Sequence, residues 1–182
     1  TGTTQRNVIG YCLGGTLLAA LLAYLEATDA ADRVASATFL TSMIDFADPG
    51  DLGVFIDEQQ VESLEQKMNR DGYLDGADMA TTFNMLRSND LIWSFVINNY
   101  LMGEEPLAFD LLYWNSDSTR MPARMHSEYL RAMYLENRFK DPGGMMLGGV
   151  PIDIASVKTP CYFLSACEDH IAPWRSTFAG AG

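Results

Sequence analysis

The chain has 182 residues, 48% of them hydrophobic, and a formal net charge of -12, which is enough apolar material for one sizeable core and too little for two comfortable domains. The acidity argues against a nucleic-acid partner, because phosphate binding draws its affinity from clustered Lys and Arg. The longest apolar run, Leu17 to Leu25, falls well short of the roughly 18 residues a membrane span needs, so no transmembrane segment is expected. Cysteines at 12, 161 and 167 are odd in number and lack small-scaffold spacing; a reducing, cytoplasmic setting fits them best. The opening TGTTQRNVIG carries no charged segment leading into an apolar, cleavable stretch, and reads as a chain already in progress.

Val8-Ile9-Gly10-Tyr11 is short and β-prone, and Thr16 to Leu25 is a good helix former with apolar residues on every face. That pairing predicts a buried strand followed by a buried helix. RVASATFLTSMIDF predicts a second strand ending near Asp45, and VKTPCYFLSA a third from about Thr159 to Ala166, with Pro160 at its start where a missing N–H does least harm. Strand, helix, strand with a short connection implies a parallel sheet.

Residues 46–150 break the alternation and read as a helical insertion. The expected organisation is a core over 1–45, a helical cap or lid over 46–150 and a return to the core over 151–182. DEQQVESLEQKM has the composition of an exposed helix. ATTFNMLRSNDLIWSFVINNYLMG is strongly apolar up to Gly103, and PARMHSEYLRAMYLENRF starts after a proline and keeps helical spacing. Methionines 68, 79, 85, 102, 121, 125, 133, 145 and 146 fall in this insertion. They suit adaptable core filling, or a mobile surface that accepts a floppy apolar ligand or a partner. Arg124, Arg131 and Arg138 recur every seven residues, with Glu128 four residues from Arg124; a solvated, salt-bridged face is the expectation over an anion site.

Gly10-Tyr11-Cys12-Leu13-Gly14 is a G-x-C-x-G pattern, the nucleophile elbow with cysteine in place of serine. A nucleophile on a tight strand-to-helix turn needs neighbours without a β-carbon. The Leu13 N–H would then face a developing oxyanion at the helix N-terminus, which also favours the thiolate. A small buried cysteine explains the same five residues. In PCYFLSACEDHIAPW a strand delivers Glu168 and Asp169 just past its C-terminal end, where an α/β-hydrolase fold keeps its triad acid. Asp169 is preferred because it precedes the segment HIAP; two acids capping a surface loop is the plainer alternative. Cys161 and Cys167 are assigned no chemistry, and with two histidines no zinc set of plausible spacing forms. The histidine of a triad is the difficulty. His126 reads as an exposed helix residue of the insertion, and His170 adjoins Asp169, too close in sequence for one to orient the other toward Cys12.

Taken together, GYCLGGT, LTSMIDFADPG, FIDEQQVESLE, RSNDLIWSFVINNYLMGEEPLAFDLLYWNSDSTRMP and GGVPIDIASVKTPCYFLSACEDHIAPW resemble consecutive blocks of polyhydroxyalkanoate synthases, of the short-chain class I type or the related medium-chain class II. The resemblance implies an α/β-hydrolase core, incomplete at both ends, with a helical cap inserted between two strands. It also implies polymerisation of (R)-3-hydroxyacyl-CoA, as 3-hydroxybutyryl-CoA, into polyester with release of CoA. Cys12 would be the nucleophile, Asp169 the triad acid and Leu13 the source of an oxyanion N–H. CoA enters as part of the substrate and leaving group, so no separate cofactor and no metal are implied. The family's histidine lies in a Ser-Gly-His segment further along, so the piece is expected to be inactive by itself. Partners implied are the growing polyester chain, a second subunit in a homodimer and the surface of cytoplasmic polyester granules. Two other readings stay open: a cysteine hydrolase of the thioesterase or dienelactone-hydrolase kind, and a non-catalytic partner with a degenerate site.

Overall fold

The computed structural model describes residues 2–88, 92–106, 110, 113–114 and 117–182. It divides into two compact units, one formed by Thr1–Val61 with Glu128–Gly182 and the other by Glu62–Ser127.

The first unit is built on a parallel sheet. Strand β1 (Arg6–Tyr11) leads through Cys12 into helix α1 (Leu13–Ala27), and β2 (Val34–Leu40) follows. The strand order is β1-β2-β7, where β7 is Cys161–Leu164. Both pairings are parallel, with Tyr11 opposite Leu40 and Leu40 opposite Leu164, so all three strands finish at the same end of the sheet. Alanine and leucine favour α1 as a helix, and Ala19, Leu22 and Ala23 are buried, in a core that includes Ala37 and Phe39 of β2. Phe39 also stacks on Phe163 of β7, with ring centroids 4.6 Å apart.

Three expectations need correction. Helix α1 is not buried all round: Leu17 is 68% and Leu21 44% exposed, because only the side carrying Leu18, Ala19 and Leu22 packs into the core. Strand β2 stops at Leu40, short of Asp45, because Thr41 turns to a φ of 46°. The residues beyond it, Ser42 to Ile44 and Phe46, are buried all the same, so a buried loop carries the apolar signal of a strand. Strand β7 is shorter than Thr159 to Ala166 and lies at the other edge, with Tyr162 and Leu164 exposed.

Among the described residues between β2 and β7, helices predominate. Helices α2 (Glu58–Asp71) and α3 (Gly76–Leu86) are joined by β3 (Tyr73–Leu74), which pairs antiparallel with β4 (Met121–Pro122). Asp75 caps α3 by accepting from the Ala77 N–H at 3.0 Å. In the second unit Met68, Leu74 and Ala123 form a small core with Leu64, Met79 and Met121 beside it. Residues 89–91, within the apolar stretch up to Gly103, lie outside the described residues, and Val96–Leu101 beyond them is a π-helical turn. The methionines divide between the two readings: Met68 and Met133 are buried, whereas Met85, Met102, Met125 and Met146 are exposed. The stretch after Pro122 forms the helix Ala123–Tyr129 and a π-helical turn Leu130–Leu135, ending at Asn137, whose φ is 50°. The arginine stripe is therefore cut before Arg138. Arg131 pairs with Glu58 at 2.7 Å and Arg138 with Glu136. A hairpin of β5 (Met145–Leu147) and β6 (Val150–Ile152) completes the first unit, turned by Gly148 and Gly149, both at positive φ.

Candidate active site

Cys12 stands between β1 and α1 with φ 51° and ψ -125°, a conformation that costs a residue with a side chain on the order of 1–3 kcal/mol. Its backbone is fixed on both sides. The Cys12 N–H donates to the Leu40 carbonyl at 2.9 Å, and the Cys12 carbonyl accepts from the N–H groups of Gly15 at 2.9 Å and Thr16 at 3.4 Å. The side chain is exposed and makes no capping bond, so the thiol is presented outward while the peptide is held. Leu13 is the first residue of α1, where an N–H has no acceptor within its own helix.

The glycine requirement lies elsewhere than the five-residue pattern suggested. A β-carbon on Gly14 would meet nothing within 4 Å. On Gly15 it would fall 1.9 Å from Ser42 Oγ, and on Gly10 it would fall 2.5 Å from the Gly15 Cα. The second glycine of the Gly14-Gly15 pair is thus the one the turn needs, together with Gly10. Ser42 and Thr16 lock the same corner, through Ser42 Oγ to the Leu40 carbonyl at 3.0 Å and Thr16 Oγ1 to the Met43 carbonyl at 2.7 Å.

Asp169 lies in the loop after β7, half-buried, with its Oδ1 accepting from the N–H groups of Ile171 and Ala172, both at 2.9 Å. Because β1, β2 and β7 run parallel in register, Cys12, Leu13 and the Asp169 loop leave the same C-terminal end of the sheet. One strand separates the exits of β1 and β7, a lateral offset of about 10 Å at ordinary strand spacing. Glu168 is exposed. His170 is held by its backbone, its carbonyl accepting from the Asp51 N–H at 2.9 Å. His126 belongs to the second unit and, against expectation, is only 4% exposed; burial pushes its imidazole below the ordinary value.

Two tyrosines that the sequence did not single out stand near Cys12. Tyr129 and Tyr134 have hydroxyls 3.3 Å apart and rings meeting edge to face, and Tyr134 packs edge-on against Phe46 at 4.8 Å. Burial, foremost, pushes both phenols up from the ordinary range, and negative charge on the Cys12 sulfur adds to it. A cavity of about 360 Å³ under α1 and β2 is lined by Leu22, Phe39, Ile44 and Phe163 among others, and includes neither Cys12 nor Asp169. No helix among the described residues is long and apolar enough to cross a membrane.

Comparison with family models matches residues 1–178 to the alpha/beta hydrolase fold. The chain belongs to the alpha/beta hydrolase fold family. Within this alpha/beta hydrolase frame, the likeness read from the motif blocks is borne out. The chain is 55% identical over 181 residues to the poly(3-hydroxyalkanoate) polymerase subunit PhaC of Rhizobium meliloti (strain 1021), covering 100% of this chain and 29% of that protein. It is 56% identical over 181 residues to the poly(3-hydroxyalkanoate) polymerase of Methylorubrum extorquens, covering 100% of this chain and 30% of that protein. With the polymerase subunit PhaC of Cupriavidus necator (strain ATCC 17699) the identity is 43%, over 98% of this chain and 31% of that protein. The chain therefore spans about three tenths of the length of these relatives.

Proposed function

We propose that this alpha/beta hydrolase chain is the nucleophile-bearing part of a poly(3-hydroxyalkanoate) polymerase, acting on (R)-3-hydroxyacyl-CoA, with 3-hydroxybutyryl-CoA as the leading candidate. The observation that carries the reading is the strained Cys12 turn, set in a chain alike throughout its length to named polymerases. In the proposed cycle the Cys12 thiol gives up its proton to a base and attacks the thioester carbonyl. The C–S bond to CoA breaks, CoA leaves as its thiol, and the acyl group remains on Cys12 as a thioester of similar energy. The hydroxyl of a second acyl unit then attacks that thioester, forming an ester and restoring the thiol. The Leu13 N–H serves the oxyanion in both steps. Asp169 orients the base, which we assign to a histidine of the longer protein outside residues 1–182.

The inserted stretch 46–150 is given the part of a cap that limits access of water to the acyl-enzyme. A homodimer in the cytoplasm, working at the surface of polyester granules, completes the proposal; CoA enters only as substrate and leaving group. The complete protein incubated with 3-hydroxybutyryl-CoA tests this reading. Insoluble polyester with free CoA supports it, whereas free 3-hydroxybutyrate as the sole acyl product would make the protein a cysteine hydrolase.

A further inference from the structure

The loop that leaves β2 is fastened to the loop that carries Asp169, and the fastening runs through one peptide. Gly50 has a φ of 61°, and a β-carbon there would stand 2.3 Å from the His170 carbonyl oxygen and 3.1 Å from the Ile171 carbonyl oxygen. The obstacle is backbone, which cannot swing aside as a side-chain tip does. The neighbouring Asp51 N–H donates to that same His170 oxygen at 2.9 Å. The His170 carbonyl and the Ile171 N–H are two ends of one planar peptide unit. The far end of that unit, the Ile171 N–H, donates to Asp169 Oδ1 at 2.9 Å. A continuous relay therefore runs from the Asp51 N–H through the His170–Ile171 peptide to the Asp169 carboxylate. A second tie holds the same loop from the other side, where the buried Ser176 donates its Oγ–H to the Asp48 carbonyl at 2.7 Å.

We infer that Gly50 is a positioning residue for the Asp169 carboxylate, acting through the His170–Ile171 peptide that Asp51 holds. The inference rests on the reading of Asp169 as the triad acid. Any side chain at Gly50 must push the His170 carbonyl away, and because the peptide is rigid the Ile171 N–H turns with it. The carboxylate then loses a donor that fixes its orientation, without losing its charge. Ser176 acts in the same sense more weakly, since its removal loosens the Asp48 end of the loop and introduces no clash.

The test uses the complete polymerase and a cycle of variants: Gly50→Ala, Ser176→Ala and Asp169→Asn, each alone and the first two combined with the third. The rate of CoA release is followed in single turnovers long enough to register slow variants, together with KM in the steady state. The expected result is a loss of about tenfold for Gly50→Ala and a few-fold for Ser176→Ala, at unchanged KM. Both losses should shrink to less than twofold in the Asp169→Asn background, because there is no carboxylate left to orient. Equal losses in both backgrounds would overturn the inference and leave Gly50 a purely structural residue. Should Gly50→Ala fail to fold, the Ser176→Ala pair decides on the same criterion. An Asp169→Asn variant as fast as the wild type would instead remove Asp169 as the acid, a separate outcome that takes this inference with it.

Discussion

A β-carbon on Gly10 would stand 2.5 Å from the Cα of Gly15. The last turn of the strand and the first turn of the helix thus touch backbone to backbone, and Cys12 is the residue bent outward between them. The two glycines differ in what a substitution meets: backbone at Gly10, and the Ser42 side chain at Gly15, 1.9 Å from its Oγ. Gly15→Ala is expected to destabilise by ~1–3 kcal/mol through overpacking, and Ser42→Gly in the same molecule should restore part of that. Gly10→Ala should gain nothing from Ser42→Gly. Thermal midpoints of the four variants check this, and equal rescue of both alanines would contradict it.

The strain at Cys12 separates stability from function. Cys12 is exposed, so Cys12→Ala and Cys12→Gly both delete a sulfur with little packing, but only glycine relaxes a φ of 51° with a ψ of -125°. Strain relief of ~1–3 kcal/mol against a glycine entropy cost of roughly 0.5–1 kcal/mol leaves the glycine variant about 1 kcal/mol more stable than the alanine variant. Neither should release CoA. Denaturant midpoints of the two variants test the order, and an alanine variant that is the more stable would remove the argument from strain.

Tyr129 makes alkaline stability a readout of the phenol pair. Its phenol is held above the ordinary 10.0 chiefly by burial, then by Tyr134. The folded state therefore keeps a proton that the unfolded chain releases near pH 10, so this contribution to stability is complete below that pH and is lost as pH rises beyond it. Denaturant midpoints between pH 8 and 11 should fall more steeply for the wild type than for Tyr129→Phe. Parallel curves would place the phenol in contact with solvent.

His126 gives the opposite dependence. Burial holds its imidazole below the ordinary 6.5, so the unfolded chain binds a proton that the folded unit resists. The stability it allows is complete above that value and is lost as pH falls through the folded value. Amide hydrogen exchange across residues 62–127 should accelerate between pH 7 and 5 beyond the intrinsic change, and His126→Phe should abolish the excess. An unchanged excess in that variant would exclude His126 as its source.

The frame of the site was legible because Val8 to Tyr11, the glycines and the apolar run after them each admit one local structure, and because β7 returns parallel beside β2. The end of β2 was not legible. Thr41 turns left-handed there, while Ser42, Met43, Ile44 and Phe46 remain buried in a loop that mimics a strand's composition. The role of Gly15 was hidden because its obstacle, Ser42, lies 27 residues away and touches it only in the folded unit. Polar neighbours in sequence suggested a solvated His126, and tertiary burial overrode them. The contact of Gly50 with the His170 carbonyl joins segments 120 residues apart, beyond the reach of any local pattern.

Cys12 is proposed to carry the acyl group. One equivalent of 3-hydroxybutyryl-CoA added to the complete protein, followed by proteolysis and mass spectrometry, tests it directly. The expected product is a 3-hydroxybutyryl group on the peptide containing Cys12, removable by hydroxylamine and absent from the Cys12→Ala variant; acylation of another residue, or CoA release by Cys12→Ala at the wild-type rate, would rule out Cys12 as the carrier.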